Sequence, residues 1–197
     1  MKNNKGFTLI EIGLVLFVIG ILVVIFIPNF TQGIRYKSQS QHIISFSTKV
    51  FQGIEILAQE CNIPKSRVAR DNGNSDVASL GDRTYRTLIT TGRAKVLSTY
   101  LGCWDRANLA PIKPNFTTAS NLVWWPAFNN TYNKPHIQYD LSDRQLVDQI
   151  ITELGLNPSL YIDGTNNSDN ALKAPIGIDF ASLGPGSYYI QLIDNSK

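Results

Sequence analysis

The chain has 197 residues, 17% of them charged, and a formal net charge of +3. This length predicts one modest globular unit besides any anchor, and the sequence contains no internal repeat, low-complexity tract or linker to a second domain. So small a net charge predicts no particular partner, because it draws the chain toward neither an anionic nor a cationic surface.

The first predicted element is an apolar N-terminal segment. Residues 7–27 number 21 and include one charge, Glu11. As a helix rising about 1.5 Å per residue they cover roughly the 30 Å of a bilayer's hydrocarbon core, so we predict a membrane span. A carboxylate in hydrocarbon costs about 2.5 to 3.5 kcal/mol and usually has a partner, yet none lies nearby in the sequence. The alternative is a carboxylate that snorkels at the helix end.

An ordinary secretory signal is a second alternative for this segment. It fits poorly, because the apolar core is too long, contains Glu11, and is followed at 27–30 by no cleavage site of small residues. The observed order is instead a basic leader that ends in Gly6, then Phe7, Thr8, two aliphatic residues, Glu11 and the apolar run.

That order resembles the class III signal of type IV pilins and their relatives, whose helix also tends to carry a late proline, as Pro28 does here. The resemblance implies that prepilin peptidase cuts between Gly6 and Phe7 and methylates the new amine of Phe7. It also implies that Glu11 pairs with the terminal ammonium of a neighbouring subunit during filament assembly. The implied partners are other pilin subunits, the peptidase and the inner membrane.

Charge determines the orientation of the predicted membrane span only in part. Lys2 and Lys5 precede the apolar segment and Arg35 and Lys37 follow it, so the positive-inside rule is nearly balanced. The N-terminal amine, and two cysteines suited to an oxidising compartment, favour a cytoplasmic N-terminus. We expect a single-pass inner-membrane precursor with a periplasmic head, which then enters a periplasmic or extracellular pilus or pseudopilus.

The chain divides into four predicted segments of different composition: a leader peptide (1–6), a membrane and polymerisation helix (7–30), an amphipathic spine helix (31–60) and a globular head (61–197).

The spine should continue the first helix. Pro28 predicts a kink, because proline removes one helical hydrogen bond. Residues 31–42 are polar and should have little to pack against, whereas three- and four-residue apolar spacing from Ile43 onward predicts one buried face. Asn62 and Pro64 predict the end of the helix.

The order of elements along the chain, helices first and strands later, predicts an α+β fold with an antiparallel sheet packed on the spine. A polar loop at 64–81 should precede one or two short helices within 84–100, and a helix should start at Ser142 with Gln145 in a capping box and stop at Gly155. Short branched and aromatic runs predict five strands, at 122–125, 136–141, 159–162, 176–180 and 188–193.

Cys61 and Cys103 have no CxxC spacing and no histidine at a metal-binding distance along the chain. We therefore predict a disulfide that joins the spine to the head and stabilises it by roughly 4 kcal/mol in the loop-entropy model. Two buried free thiols are the alternative. Major pilins of the familiar type place a disulfide near the C-terminus, so this position favours a minor subunit.

A short loop contains several possible oxygen ligands, with Asp163, Asn167 and Asp169 as candidates for calcium. Some pseudopilins of type II secretion look similar in having a calcium loop in the C-terminal part of the head. The loop lacks the EF-hand order and a downstream Glu, so a polar turn explains it more readily. No other cofactor is predicted.

Charge is unevenly distributed. Residues 64–96 contain seven basic residues and three Asp, whereas 138–197 contain three basic and eight acidic residues. The basic region could attract a phosphate backbone, as in DNA-uptake pilins, although subunit packing or a solvated surface is commoner. The candidate DNA-binding residues are Lys65, Arg67, Arg70, Arg83 and Arg86.

Catalytic chemistry has little support, since neither His42 nor His136 has a spacing to Cys or carboxylates that would bind a metal. The Gly-Pro-Gly-Ser stretch at 184–187 is not a nucleophile elbow, because its Ser follows the glycines and opens a strand. We predict a structural subunit of a type IV pilus or related filament, a minor pilin rather than the major one. The alternatives are a type II secretion pseudopilin, a DNA-uptake pilin and, least supported, a membrane-anchored periplasmic enzyme.

Overall fold

The structure, a computed structural model, describes residues 8–65, 68, 92–112, 123–129, 134–161, 175–184 and 186–196. Its helices are α1 (Leu9–Cys61), α2 (Leu101–Ala107) and α3 (Arg144–Glu153), with 3-10 turns at Gly92–Lys95, Ser98–Tyr100 and Pro158–Leu160. Its strands are β1 (Val123–Asn129), β2 (Lys134–Leu141), β3 (Ile176–Gly184) and β4 (Ser187–Asp194). The fold is α+β, with a long N-terminal helix and a small antiparallel sheet, as predicted.

Helix α1 runs without a break for 53 residues. It begins after Thr8, whose backbone is extended, and ends at Asn62 in the left-handed conformation, where the Asn62 N–H reaches the carbonyl groups of Ala58 and Gln59. Pro28 therefore lies inside a continuous helix, and the bend expected there stays a prediction. In the described ranges, no helical segment is both long and apolar enough to cross a membrane.

The sheet has the strand order β1-β2-β4-β3, and every neighbouring pair is antiparallel. The register places Ile137 opposite Leu192 and Tyr139 opposite Ile190 in the two central strands. All four of these side chains are buried, and period-2 alternation puts them on one face. That face supplies the sheet's share of the core.

Helix α1 supplies the other wall of the core from its second half. The buried residues recur at three- and four-residue steps, as expected for one face of a helix; they are Ile43, Phe46, Val50, Phe51, Ile54, Leu57 and Ala58. A buried hydrogen bond joins the two walls, since the Ser47 and Tyr139 hydroxyl oxygens lie 2.7 Å apart.

The expectation that residues 31–42 have little to pack against is wrong for part of that segment. Ser40 is fully buried, and the Tyr36 hydroxyl donates a hydrogen bond to the carboxylate of Asp143 at the start of α3. Helix α3 packs along this stretch of α1, so the contact between head and helix begins at about Tyr36.

Two predictions about the head need correction. Helix α3 is capped by Asp143 and not by Ser142, because the Asp143 carboxylate accepts the Gln145 N–H at 2.9 Å. Residues 158–160 form a 3-10 turn instead of the start of a strand, since Asn157 caps the turn and Pro158 opens it.

Short helices were predicted within 84–100, and the structure has 3-10 turns at 92–95 and 98–100, followed by the regular helix α2. Residues 84–91 lie outside the described residues.

Cys61 and Cys103 form a disulfide whose Cα atoms lie 5.1 Å apart. It attaches helix α2 to the last residue of α1. Arg106 of α2 reinforces this junction, because its guanidinium donates to the Glu60 carbonyl oxygen at 3.0 Å and to the Glu60 carboxylate at 3.4 Å.

We expect exported protein digested without reduction to yield a single peptide pair linked through Cys61 and Cys103. Reduction should lower the free energy of unfolding by about 4 kcal/mol, because it releases the closed loop in the unfolded chain. Mass spectrometry before and after alkylation checks the link. Two thiols that alkylate without a reductant would contradict it.

His136 in β2 faces away from the α1 side of the sheet by register and is only 6% exposed. Burial lowers its pKa to about 4, because the imidazolium loses hydration. An unfolded-state pKa near 6.5 means that folding is unaffected by this group above pH 6.5. Below that value the unfolded chain binds a proton that the folded chain resists, so stability falls toward pH 4.

The free energy of unfolding should therefore drop by about 1.4 kcal/mol per pH unit, or roughly 3 kcal/mol in all, from pH 6.5 to pH 4 on account of His136. His136→Gln should remove that part of the acid-induced loss. Denaturant titration of the full chain in detergent, at several pH values, measures it. The same substitution at half-buried His42 is the control, and equal effects from both variants would contradict the assignment.

Candidate assembly site

The first part of α1 exposes apolar side chains in every direction. Each large apolar side chain from Leu9 to Ile25 is at least 45% exposed. A helix that is apolar all round is normally covered by lipid or by protein, and an apolar surface of this size marks a site of interaction. Residues 9–25 are therefore the principal candidate for contact with another molecule.

Glu11, at the start of this surface, has a partner that the sequence analysis missed. The Thr8 N–H and Thr8 hydroxyl donate to Oε2 of Glu11 at 2.8 and 3.0 Å, and the Glu11 N–H donates to Thr8 Oγ1 at 3.3 Å. This reciprocal arrangement is a capping box. Its signature, Thr-x-x-Glu before an apolar run, was readable from the sequence.

The capping box engages one carboxylate oxygen and leaves the other available. Both Thr8 donors reach Oε2, and no described residue donates to Oε1. Glu11 can therefore start the helix and still accept a second cationic donor. Gly6 and Phe7, the residues of the predicted cleavage site, lie outside the described ranges.

The basic region predicted for DNA is engaged within the chain where the structure describes it. Lys65 forms an ion pair with Glu55, lies 4.0 Å from an Asp194 oxygen, and donates to the Ser196 hydroxyl at 3.2 Å. Its hydrogen bond is the main reason that the pKa of Glu55 is lowered. Lys65 is thus poorly placed to bind a phosphate.

Arg93, a further member of that basic region, makes a bidentate ion pair with Asp105, with N–O distances of 2.8 and 3.0 Å. The four remaining candidates lie outside the described residues; they are Arg67, Arg70, Arg83 and Arg86.

A groove opens beside the Lys65 cluster, between α1 and the end of the sheet. Its volume is about 420 Å³, and its walls combine apolar side chains with carboxylates, among them Phe51, Ile56, Ile176, Glu55 and Asp194. A groove of this kind suits an elongated side chain that is apolar along its stem and cationic at its tip.

The proposed calcium ligands Asp163, Asn167 and Asp169 lie outside the described residues. In the part of the chain that the structure describes, no group of three or more His, Cys, Asp or Glu side chains is arranged to hold a metal ion.

Comparisons of the chain with protein-family profiles, curated proteins and solved structures find no match.

Proposed function

We propose that this chain is a minor structural subunit of a type IV pilus or of a closely related filament. In this proposal prepilin peptidase removes residues 1–6, the apolar helix holds the precursor in the inner membrane, and the same helix then packs among its neighbours in the fibre. The chain needs no cofactor for this role.

The observation that carries the proposal is the change of surroundings along one continuous helix. From Leu9 to Ile25 the helix α1 exposes apolar side chains on all sides, whereas from Ile43 to Ala58 it buries one face beneath the head. The first part needs lipid or other helices around it. A helix shared between an anchor and a folded head is what a membrane-inserted filament subunit requires.

Glu11 supports assembly over simple anchoring. A carboxylate costs about 2.5 to 3.5 kcal/mol near hydrocarbon, and the capping box with Thr8 leaves one oxygen without a described donor. After cleavage, the ammonium on Phe7 of a neighbouring subunit would be a suitable donor, because a charged hydrogen bond offsets the loss of hydration. The carboxylate would then favour packed helices over lipid.

The minor-subunit assignment depends on the position of the disulfide. It joins the end of α1 to α2 and not two residues near the C-terminus, where major pilins of the familiar type place theirs. A pseudopilin of a type II secretion system is the alternative within the same class.

Gly6→Arg tests the processing step. We expect the full-length precursor to accumulate in the membrane, because a long cation would not fit a peptidase site shaped for glycine. Immunoblotting of membrane fractions, with Lys5→Arg as a control that keeps both charge and Gly6, measures the ratio of precursor to mature chain. Normal processing of the Gly6 variant would count against the pilin assignment.

Glu11→Gln tests assembly separately from helix capping. The amide oxygen of Gln can still accept the Thr8 donors, so α1 should begin at the same residue, while the negative charge is lost. We expect normal processing and membrane level but at least a tenfold loss of incorporation into filaments, comparable to Glu11→Val. Shearing or pull-down of partner subunits measures incorporation.

Thr8→Ala is the matched control, since it weakens the cap by roughly 1 kcal/mol and keeps the carboxylate. It should assemble far better than Glu11→Gln. If Glu11→Gln assembles normally and Thr8→Ala does not, Glu11 acts only as a helix cap. That result would favour a membrane-anchored enzyme or a DNA receptor over a filament subunit.

A further inference from the structure

The groove beside α1 contains one more negative charge than positive charge. Glu55 and Asp194 contribute two carboxylates, and Lys65 contributes the single ammonium beside them. Asp194 lines the groove, its side chain is only 5% exposed, and its Oδ2 is buried without a hydrogen bond from any described residue. A buried carboxylate whose oxygen has no hydrogen bond is stabilised when a second cation binds beside it.

Arg35 is a suitable cation on the same chain. Its side chain is exposed on α1, and it has no ion pair or hydrogen bond with a described residue. A guanidinium can bind two carboxylates at once while its aliphatic stem packs on apolar walls. Phe51, Ile56 and Ile176 provide such walls in the groove.

Arg35 cannot reach the groove of its own chain. It precedes Glu55 by 20 residues on the same helix, which corresponds to about 30 Å and about five and a half turns. The two side chains therefore project from nearly opposite sides of α1. A contact between opposite sides of identical molecules is heterologous, and it produces an open helical array when the rotation does not close.

We propose that Arg35 of a second copy enters the groove and binds Glu55 and Asp194. Neighbouring α1 helices then lie parallel with an axial offset of about 30 Å, the length of 20 helical residues. The inference rests on the proposed filament function and adds the register and the side-chain partners of one subunit contact. The incoming guanidinium neutralises the excess charge of the groove.

Lys37 supplies an internal comparison. It is also exposed and basic, but it precedes Glu55 by 18 residues, which is about five full turns. Lys37 therefore projects from the same side of α1 as Glu55, faces away from the neighbour that receives Arg35, and lies about 27 Å along the helix from the groove. Reversal of its charge should leave the proposed contact intact.

Thiol crosslinking in cells that assemble the full chain tests the register. Ser38→Cys and Gln59→Cys are placed together in one chain. Ser38 lies about one turn after Arg35 and Gln59 about one turn after Glu55, so in the proposed register the two thiols lie on adjoining flanks of neighbouring helices. A short bis-maleimide should give a ladder of dimers, trimers and higher multimers. Ser38→Cys combined with Lys49→Cys is the control pair and should give none.

Charge variants in the Ser38→Cys and Gln59→Cys background test the partners. Arg35→Glu and Asp194→Asn should each reduce the ladder about tenfold or more, as expected when one member of a desolvated charge pair is lost. Lys37→Glu, which changes net charge equally to Arg35→Glu, should leave the ladder unchanged, and Arg35→Lys should retain part of it.

An amine-reactive crosslinker separates failure of the register from failure of the proposed function. Multimers with that reagent but no thiol ladder would overturn the Arg35 contact and leave filament assembly intact. Absence of multimers with both reagents would overturn both proposals. An unaffected ladder in Arg35→Glu, equal loss in Lys37→Glu, or crosslinks to a different protein would overturn the assignment of partners.

Discussion

The structure depends on one helix that meets two different surroundings. Beyond Ile43 the inner face of α1 shares one hydrophobic core with the central strands β2 and β4 and with helices α2 and α3. Before Ile25 nothing in the described chain covers the apolar side chains. Burial of apolar area, at about 25 cal/mol per Å², thus stabilises the contact between the head and the second half of α1, whereas the apolar area before Ile25 stays exposed in the single chain.

Polar contacts hold the head at a defined position along this helix. The Ser47 and Tyr139 hydroxyls are fully buried in the core, where an unmade hydrogen bond is costly. Near the other end of the contact, Tyr36 donates to Asp143, and this hydrogen bond to a carboxylate raises the pKa of Tyr36. Together with the Cys61–Cys103 disulfide, these hydrogen bonds hold the head at one position along α1.

Several charged groups on or beside α1 are incompletely compensated by the described residues. Glu11 is capped by Thr8 on one oxygen only, Arg35 is exposed, and the cluster of Glu55, Lys65 and Asp194 holds an excess carboxylate. In the proposed filament, packing of copies side by side would compensate these groups with no change in the fold.

Local patterns in the sequence determined the elements that depend on neighbours three or four residues away. The apolar period after Ile43, the end of α1 near Asn62 and most of the strands are properties of short stretches, so spacing was sufficient to predict them. The capping box of Thr8 and Glu11 is equally local, and it was readable though overlooked. The choice between two adjacent candidate residues was harder to predict. Asp143 and not the neighbouring Ser142 caps α3, and Pro158 begins a 3-10 turn where a strand was expected.

Only the tertiary structure decided which distant side chains meet. The sequence places Lys65 among basic residues along the chain. In the structure the end of β4 brings Asp194 beside Lys65, so the Lys65 ammonium faces a carboxylate of its own chain. Ser40 reads as polar and solvated, but α3 packs along this part of α1 and the side chain is buried. Such pairings depend on how the strands and helices return to α1, and no spacing within a single element contains that information.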